Sequence, residues 1–519
     1  MATDLSNYNF YNDTELDGCD ESHYINGNRS SKTDFLAPSH DLYCFLFPDW
    51  VTIGDCAYGG ERVIKLKEER YLIKTSGQKE TQDKIGSYKS YKFRAVFFGY
   101  PGKVLKTMVG LMTRKNDYFE LPDSMEYLKN KATFQGDSIQ ELGRKTKECV
   151  SAYGRSGILG YVSSDKTQIL LKKYNPFDIR DWIVIDGEVR AILLDESDYR
   201  PTKGFSQEID PRFLLIGLNG EGIYYQVIIK DEKSIPKLDQ FDYNNPKKEF
   251  ETDYSEPEVN GKKSKVIPFQ FFNPSDNSHI PGVSPLLNLC NMTLGLYRNE
   301  ADYRQQLFMQ SQGTPVFTGF DKDETKEIRL GCEGGIASEN SEAQAGFLEL
   351  LGNGLPEARN ANADLHKHAV QEGLSLVVTT SEPESNAALM TRMDSKTASI
   401  AEIVDAYENG LLDLLRTIAI WIGEDPEKII AKCNKDFMRS EDIGQEIVNI
   451  VASWKQGFPV SIEDLHELAV KNDLTERTLD EIIASNAKYG IKPIGEFGML
   501  NMVNKQTPNN KEEKGDKDE

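Results

Sequence analysis

The spacing of apolar residues divides the chain into a helical stretch, a strand-rich stretch and a second helical stretch. From 40 to 155, apolar side chains recur three or four positions apart, which predicts amphipathic helices. One such helix covers 137–157, where Asp137 and Ser138 are candidate N-caps and Gly154 is a candidate stop. The first part of the chain is therefore expected to be mainly helical.

After residue 155 the periodicity changes to short runs rich in β-branched and aromatic residues, which predicts strands up to about residue 282. Asp-Gly at 186–187 and Asn-Gly at 219–220 separate such runs, and both dipeptides favour tight hairpins. The polar segment 238–263 is predicted to be a long loop. Residues 40–282 are thus expected to form one α+β body whose β-rich part, 156–282, is antiparallel.

A long helix is predicted over 283–312. Ser284 suits its N-cap, Pro285 suits the first helical position, and Gly313 ends it. Apolar side chains form a stripe along this helix, which indicates a face that packs against another surface. The stripe consists of Leu289, Met292, Leu296, Tyr303 and Leu307, and the other faces carry Arg298 and Arg304.

The rest of the chain alternates between a compact region and further helices. The expected segments are a small α/β region over 313–354, a second helix over 355–374, a polar loop over 375–392, a long helix over 393–423 and a helical region over 424–504. The terminal segments 1–39 and 505–519 are polar and aperiodic, so both are expected to be flexible.

Composition narrows the class of protein. The 519 residues are 39% hydrophobic and 28% charged, a balance typical of globular proteins. No apolar run approaches the length of a membrane span, and the acidic N-terminus lacks the apolar core of a secretory signal, so we expect a protein made in the cytoplasm. The seven cysteines include no CxxC pair, which argues against a disulfide framework or zinc ribbon.

The formal net charge of −22 is the strongest bulk property. It repels nucleic acid at long range, whereas proteins that grip DNA by neutralising its phosphates are usually basic. Basic residues do alternate with aromatic ones in one run, which is typical of a nucleic-acid patch, although a solvated helix face is favoured by the overall charge. The run contains Lys84, Tyr88, Lys89, Tyr91, Lys92, Phe93, Arg94, Lys103 and Lys106.

No segment carries a catalytic or metal-binding pattern. GYPGKV at 99–104 lacks the first glycine and the final Ser or Thr of a phosphate loop. His366 and His368 are two residues apart, so on a helix they point in different directions and cannot share a metal. Asp321, Asp323 and Glu324 are better explained as a solvated turn than as a cation site. We therefore expect no catalytic residues, no metal and no cofactor.

Four segments of the chain resemble the portal proteins of tailed bacteriophages. They are KTMVGLMTRK at 106–115, VIPFQFFNP at 266–274, the helix from GVSPLLNL to GTPVFTG, and LGCEGGIASENSEAQAGFLELLGNGL at 330–355. The order of elements over about 40–425 is also similar to that family. The resemblance implies a wing (40–282), two stem helices around a clip (313–354), a tunnel loop, a long kinked wing helix and a helical crown.

The resemblance also implies the function. Portal subunits form a homo-oligomeric ring, usually a dodecamer, at one vertex of the virion capsid. Double-stranded DNA passes through the ring without sequence specificity during packaging and ejection, driven in by a separate terminase. The other implied partners are major capsid, scaffold and head-completion or adaptor proteins, with no membrane. The chain itself would not be an enzyme.

Three groups of residues receive roles from this resemblance. The stem residues named above, Arg298 and Arg304 among them, would contact neighbouring subunits. Residues 312–355 hold eight acidic and three basic side chains, so an acidic clip would let DNA slide. The acidic clip residues are Asp321, Asp323, Glu324, Glu327 and Glu333, and the tunnel-loop residues are Thr379, Thr380, Ser381, Glu382, Ser385 and Asn386.

Alternatives remain open from the sequence. The segment 377–389 is equally well explained as a plain connection between two helices. A different virion structural or connector protein would also show long helices. A nucleic-acid-processing enzyme with an unrecognised site around 150–270 is a further alternative, although no motor fingerprint supports it.

Overall fold

A computed structural model describes most of the chain up to residue 435 and a short part beyond it. The described residues are 39–75, 78, 87–203, 206–230, 241–248, 250–251, 253–311, 314–320, 338, 340–348, 354–376, 386–435, 466 and 477–488. The chain divides into two compact units, Met1–Lys435 and Asp436–Glu519. No helix within these described ranges is long and apolar enough to cross a membrane.

The helices of the first unit cluster before residue 155 and after residue 286. They are α1 (Asp41–Gly54), α2 (Gly60–Leu66), α3 (Ser87–Arg94), α4 (Tyr100–Met112), α5 (Ile139–Tyr153), α6 (Leu287–Gln310), α7 (Leu355–Leu376) and α8 (Asn386–Ile422). A π-helical turn, Asp55–Gly59, joins α1 to α2, and short 3-10 turns cover Glu68–Arg70, Asp123–Lys129, Pro176–Asp178, Pro246–Lys248 and Pro426–Lys428.

The strands lie mainly between the two helical groups, and every pairing among them is antiparallel. They are β1 (Tyr118–Glu120), β2 (Ser156–Val162), β3 (Ile169–Tyr174), β4 (Ile179–Ile185), β5 (Glu188–Asp195), β6 (Asp198–Lys203), β7 (Ser206–Asp210), β8 (Phe213–Leu218), β9 (Tyr224–Ile229), β10 (Tyr254–Ser255), β11 (Glu258–Val259), β12 (Lys262–Lys263), β13 (Phe269–Phe272), β14 (Thr314–Thr318), β15 (Gln344–Leu348) and β16 (Ile430–Lys432). The predicted α+β class with antiparallel sheets is confirmed.

Local signals in the sequence place several element ends correctly. The Ser138 side chain accepts a hydrogen bond from the Glu141 N–H at the start of α5, and Gly154 ends that helix in the left-handed region. Asp186 and Gly187 both have positive φ between β4 and β5, as a tight hairpin requires. Between β8 and β9 it is Gly222 that takes positive φ, because Asn219 begins a longer turn.

The largest sheet has the strand order β10-β9-β8-β5-β4. One face carries a buried apolar cluster that includes Leu193, Leu215 and Val227. Phe241 and Tyr254 cover this cluster from the segment that was predicted to be a long polar loop. That prediction is wrong for part of 238–263, because its aromatic residues gain apolar burial on the sheet and Tyr254–Ser255 pairs with β9.

Aromatic side chains fill the space between α1 and the end of α5. Tyr43 and Trp50 are buried on α1, and the Trp50 ring contacts the Phe177 ring edge-on. The Trp50 indole N–H donates to the Tyr153 carbonyl over 3.1 Å, which satisfies its one polar group. The first helix is thereby fixed to the point where the helical part of the body meets the sheets.

A buried ion pair helps to hold the last residues of the first unit in place. Lys147 Nζ on α5 lies 2.8 Å from Asp117 Oδ2, and both side chains are almost fully buried. The other Asp117 oxygen accepts the Asn434 N–H over 3.0 Å, just after β16 pairs with β1. The expectation of a helical region over 424–504 is therefore wrong at Ile430–Lys432, where the chain pairs as a strand instead.

The second unit is described over a single helix, α9 (Leu479–Lys488), and a few residues before it. Two reciprocal hydrogen bonds cap the start of this helix. The Thr478 hydroxyl accepts from the Glu481 N–H, and the Thr478 N–H donates to the Glu481 carboxylate. This helix lies inside the region predicted to be helical.

Candidate functional site

The long helix α6 and the helix α7 pack against each other as a helical hairpin. The Glu300 carboxylate on α6 joins them, since it accepts the Asn362 amide N–H over 3.2 Å and the Arg304 Nε–H over 2.6 Å. Gly295 on α6 faces Leu365 on α7 in the same interface. We refer to α6 and α7 as the stem hairpin.

The two halves of α6 have different surroundings. The buried residues are Leu289, Cys290, Thr293, Leu294, Leu296, Tyr297, Glu300 and Ala301. Beyond Ala301 no described side chain of α6 is fully buried, and Leu307 and Met309 are 47% and 49% exposed. The first half of α6 is therefore core, whereas its far end is surface.

The base of the stem hairpin is bonded to the end of α5. The Ser284 hydroxyl donates to the Ala152 carbonyl and accepts the Leu286 N–H over 3.2 Å. Ser284 was predicted as the N-cap and Pro285 as the first helical residue of the segment 283–312. Residues 285 and 286 instead form a turn, and α6 begins at Leu287. The guanidinium of Arg155 donates to the His279 carbonyl over 2.8 Å in the same region.

Arg155 is a fully buried cation placed between two aromatic faces. Its guanidinium carbon lies 4.2 Å from the Trp182 ring centroid and 4.5 Å from the Phe271 ring centroid. Burial lowers the pKa of Arg155 to about 9. Two of its nitrogens, Nε and one terminal nitrogen, have no hydrogen-bond partner. The aromatic faces therefore carry much of the compensation for its charge.

The short helix α3 braces the far end of α6. The Tyr91 hydroxyl donates to Asp302, and the Arg94 guanidinium donates to Gln305. Arg94 also lies 4.0 Å above the Phe308 ring. Burial, and then the hydrogen bond to Asp302, raise the pKa of Tyr91, so this phenol stays protonated as a donor.

An open groove of about 320 Å³ lies between α3 and the far end of α6. It is lined by Phe93, Arg94, Arg304, Leu307, Phe308 and Ser311. Phe93 lies at the edge of the groove and is 82% exposed, which is the largest exposed fraction among the large apolar side chains described. We refer to these six residues as the stem groove. The combination of apolar walls with two guanidinium groups suits a protein surface that is itself apolar and acidic.

The strands β14 and β15 form a two-stranded ribbon directly after α6. Phe317 pairs with Ala345, and Phe347 lies two residues further along β15, so Phe317 and Phe347 share one face. The described side chains of β15, at 344–347, are all exposed, and Phe347 is 62% exposed. A two-stranded ribbon is marginal in water unless another surface covers one of its faces.

The structure corrects the predicted stem contacts. Leu289 and Leu296 are fully buried inside their own chain, so they cannot contact a neighbouring subunit. Helices from the body and α7 cover them, which the stripe alone did not reveal. Met292 and Tyr303 are half-buried, whereas Arg298, Arg304 and Leu307 are exposed. Arg298 Nε donates to the Tyr71 carbonyl over 3.0 Å, so this arginine serves the fold of its own chain.

Other predicted site residues lie outside the described residues. These are the clip residues Asp321, Asp323, Glu324, Glu327 and Glu333, and the tunnel-loop residues Thr379, Thr380, Ser381, Glu382 and Ser385. Asn386 is described as the first residue of α8. The predicted loop 375–392 is thus too long at both ends, since α7 continues to Leu376 and α8 begins at Asn386, where alanines and leucine favour helix.

The basic and aromatic run does not form a continuous patch. Tyr88 and Tyr91 are buried, so their rings are not available for stacking on bases. Lys92 pairs with Glu68, whereas Phe93 and Lys89 are exposed. Lys84 lies outside the described residues. The sequence could not separate the buried rings from the exposed one, because all three occur in a single short helix.

The described histidines and cysteines do not gather into a metal site. No group of three His, Cys, Asp or Glu residues in the described part of the chain could hold a metal. His366 Nδ1 lies 3.0 Å from the Tyr100 hydroxyl and the His366 ring contacts Phe98, so this histidine joins α7 to α4. None of the five cysteines that the structure describes forms a disulfide. The expectation of a chain without catalytic residues stays a prediction.

One family model matches the part of the chain that contains the stem hairpin. A family model described as a domain of unknown function, DUF4055, matches residues 285–422, from the start of α6 to the end of α8. The match covers less than half of the chain. No curated protein matches the sequence.

Several solved structures are similar to this chain. One is a chain from the neck of a native GTA particle computed with C12 symmetry, with a TM-score of 0.37, 12% identity, and coverage of 71% of this chain and 89% of that one. Another comes from the neck of an empty GTA particle computed with C6 symmetry (TM-score 0.40, 10% identity, 71% and 90% covered). A third comes from the virion of a native gene transfer agent particle (0.39, 11%, 74% and 93%). At these TM-scores the similarities establish no common function.

Proposed function

We propose that this protein is a portal subunit of a phage-like particle, one copy in a ring through which double-stranded DNA enters and leaves the capsid. The observation that carries the proposal is the stem hairpin. Its base is buried in the body, while its far end exposes the stem groove and an uncovered ribbon. A single copy leaves these apolar surfaces in water, whereas neighbours in a ring would cover them.

The segments that resemble portal proteins support the proposal by their positions. KTMVGLMTRK falls on α4 and the residues after it, VIPFQFFNP contains β13, and the other two contain α6 and the ribbon strands. Met108, Phe272 and Leu289, one from each of the first three segments, are buried to 1% exposure or less. The resemblance therefore rests on residues that build the body and the stem base.

Charge supports a channel more than a DNA-gripping surface. A net charge of −22 favours a wall along which a duplex slides rather than one that holds it. The chain would not catalyse a reaction, and the energy for packaging would come from a separate terminase. Capsid, scaffold and head-completion proteins would be its other partners, because a ring at a capsid vertex must join all of them.

The proposal is tested by deleting the gene in cells that produce the particles. We expect heads without packaged DNA, and restoration of DNA-filled heads by the wild-type gene supplied separately. Nuclease-protected DNA per particle is the measurement, and the amount of capsid protein is its control. Normal DNA content in particles made without this chain would contradict the proposal.

A further inference from the structure

We infer that the stem groove of one copy binds the β14–β15 ribbon of the next copy, with the Phe347 side chain seated against Phe93, Leu307 and Phe308. This inference rests on the proposed ring and names the surfaces that hold it together. It assigns the groove to a second copy of this chain, not to DNA or to another protein.

The stem groove exposes a cluster of apolar side chains to water. Phe93 is 82% exposed and Leu307 is 47% exposed, and they lie beside the Phe308 ring on which Arg94 stacks. Clustered apolar side chains of this size mark contact sites, whereas single exposed ones are common. Its volume of about 320 Å³ suits an aromatic side chain with part of the strand that carries it.

The ribbon supplies a matching projection. Phe347 is 62% exposed and Val316 is 41% exposed, on opposite faces of two paired strands. Phe317 lies on the same face as Phe347, where its ring meets Phe320 edge-on. Because two strands alone gain little stability, the ribbon needs a docking surface, and aromatic residues are effective anchors at such contacts.

The positions of the stem groove and the ribbon favour a contact between two copies over a contact within one chain. The ribbon begins four residues after Gln310, at the same end of α6 as the groove, yet Phe93, Leu307 and Phe347 all remain exposed in a single chain. A surface that meets a different surface on an identical neighbour generates a closed ring when the rotation closes. Groove and ribbon are such a pair.

The charges agree with this partner. Arg94 and Arg304 line the groove in a chain whose formal net charge is −22. Arg304 keeps 44% of its side chain exposed while it pairs with Glu300, and a guanidinium has donors for further carboxylates. Glu342, just before β15, is exposed. Glu342 beside the ribbon of the second copy therefore has a guanidinium partner available in the groove, while the ribbon fills the apolar part.

Cysteine trapping between different copies tests the inference. Phe93→Cys and Phe347→Cys are placed on separate full-length chains, each with Cys19→Ser and Cys332→Ser, and the two chains are co-expressed. Oxidised glutathione is then added to the purified assembly. We expect covalent dimers that appear only in the mixture, with the 93–347 disulfide identified by mass spectrometry of peptides.

The matched control replaces Phe93→Cys with Ile420→Cys, a position that is 64% exposed on α8. We expect no covalent dimer from that mixture. Phe347→Ser is the second variant, and because the side chain is exposed we expect a folded chain that has lost the ring. Native mass separates the outcomes.

Rings that form without the 93–347 disulfide, or rings that persist in Phe347→Ser, would overturn the inference and leave the proposed ring intact. A chain that stays monomeric in every mixture would contradict both. Binding of a labelled DNA oligonucleotide that Phe93→Ser abolishes, with no trapped dimer, would reassign the groove to nucleic acid.

Discussion

Gly154 ends α5 and lies against the segment that leads into the stem hairpin. Its φ of +74° lies in the left-handed region, and an added Cβ would lie 2.5 Å from the Gly282 carbonyl oxygen. We expect Gly154→Ala to lower the free energy of unfolding by about 2 kcal/mol or more, since strain and a backbone clash add. Urea unfolding followed by circular dichroism measures this.

Gly110 provides the matched control for that substitution. It lies inside α4, and no heavy atom lies within 4 Å of the position a Cβ would take. Gly110→Ala should therefore raise the free energy of unfolding by up to about 1 kcal/mol, because alanine favours helix. An equal loss of stability in both variants would mean that Gly154 has no special role.

Asp178 predicts a pH dependence of stability. Burial raises the pKa of Asp178 to about 6, with a smaller contribution from Asp195, while the Asn175 N–H opposes the rise. A raised folded pKa means that the folded state holds the proton more tightly, so this group adds stability as pH falls from about 6 towards 4 and none above that window.

The variant Asp178→Asn isolates this effect. Between pH 7 and pH 4, wild type should gain on the order of 2 kcal/mol relative to Asp178→Asn, since each pKa unit corresponds to about 1.4 kcal/mol. Urea unfolding at both pH values gives the difference. A difference between the two proteins that does not change with pH would contradict the assignment.

Two elements remote in sequence, α5 and β16, are joined through the Asp117–Lys147 pair. Lys147→Met should lower the free energy of unfolding by about 3 kcal/mol, because Asp117 is left buried without its cation. Adding Asp117→Asn should recover part of the loss. Lys129→Met is the control, since its partner Glu126 is exposed and such pairs contribute about 0.5 kcal/mol or less.

Leucine-to-aspartate substitutions in the two halves of α6 are expected to have different effects on folding and on assembly. Leu296→Asp places a carboxylate in the core, so we expect the chain to unfold or aggregate. Leu307→Asp lies on the groove surface, so we expect native circular dichroism and melting temperature together with loss of the ring. If Leu307→Asp assembled normally, the stem groove would not be a subunit contact.

At the scale of the whole molecule, the sequence predicted what depends on neighbouring residues. The Ser138 cap, the Gly154 stop and the Asp186-Gly187 hairpin were predicted because each is set by a few adjacent side chains. The stripe on α6 was also visible, but Leu296 and Leu307 share the same periodicity. Only the packing of α3, α4 and α7 shows that one is core and the other surface.

Residues far apart in the chain were missed for the same reason. Nothing around Arg155 indicates that Trp182 and Phe271 will enclose its guanidinium, and nothing around Asp117 indicates Lys147 and Asn434 as partners. Phe347 lies in the segment predicted to be a small α/β region, but its exposure depends on which elements pack against it. Candidate sites built from tertiary contacts therefore required the structure.

The most direct test of the central claim is the native mass of the full-length protein, with negative-stain images of the same sample. The proposed portal function predicts rings with a central hole, and the resemblance to portal proteins predicts a mass near twelve times 58.6 kDa. A monomer at every concentration, even when the chain is produced together with the capsid and scaffold proteins of its own particle, would contradict it.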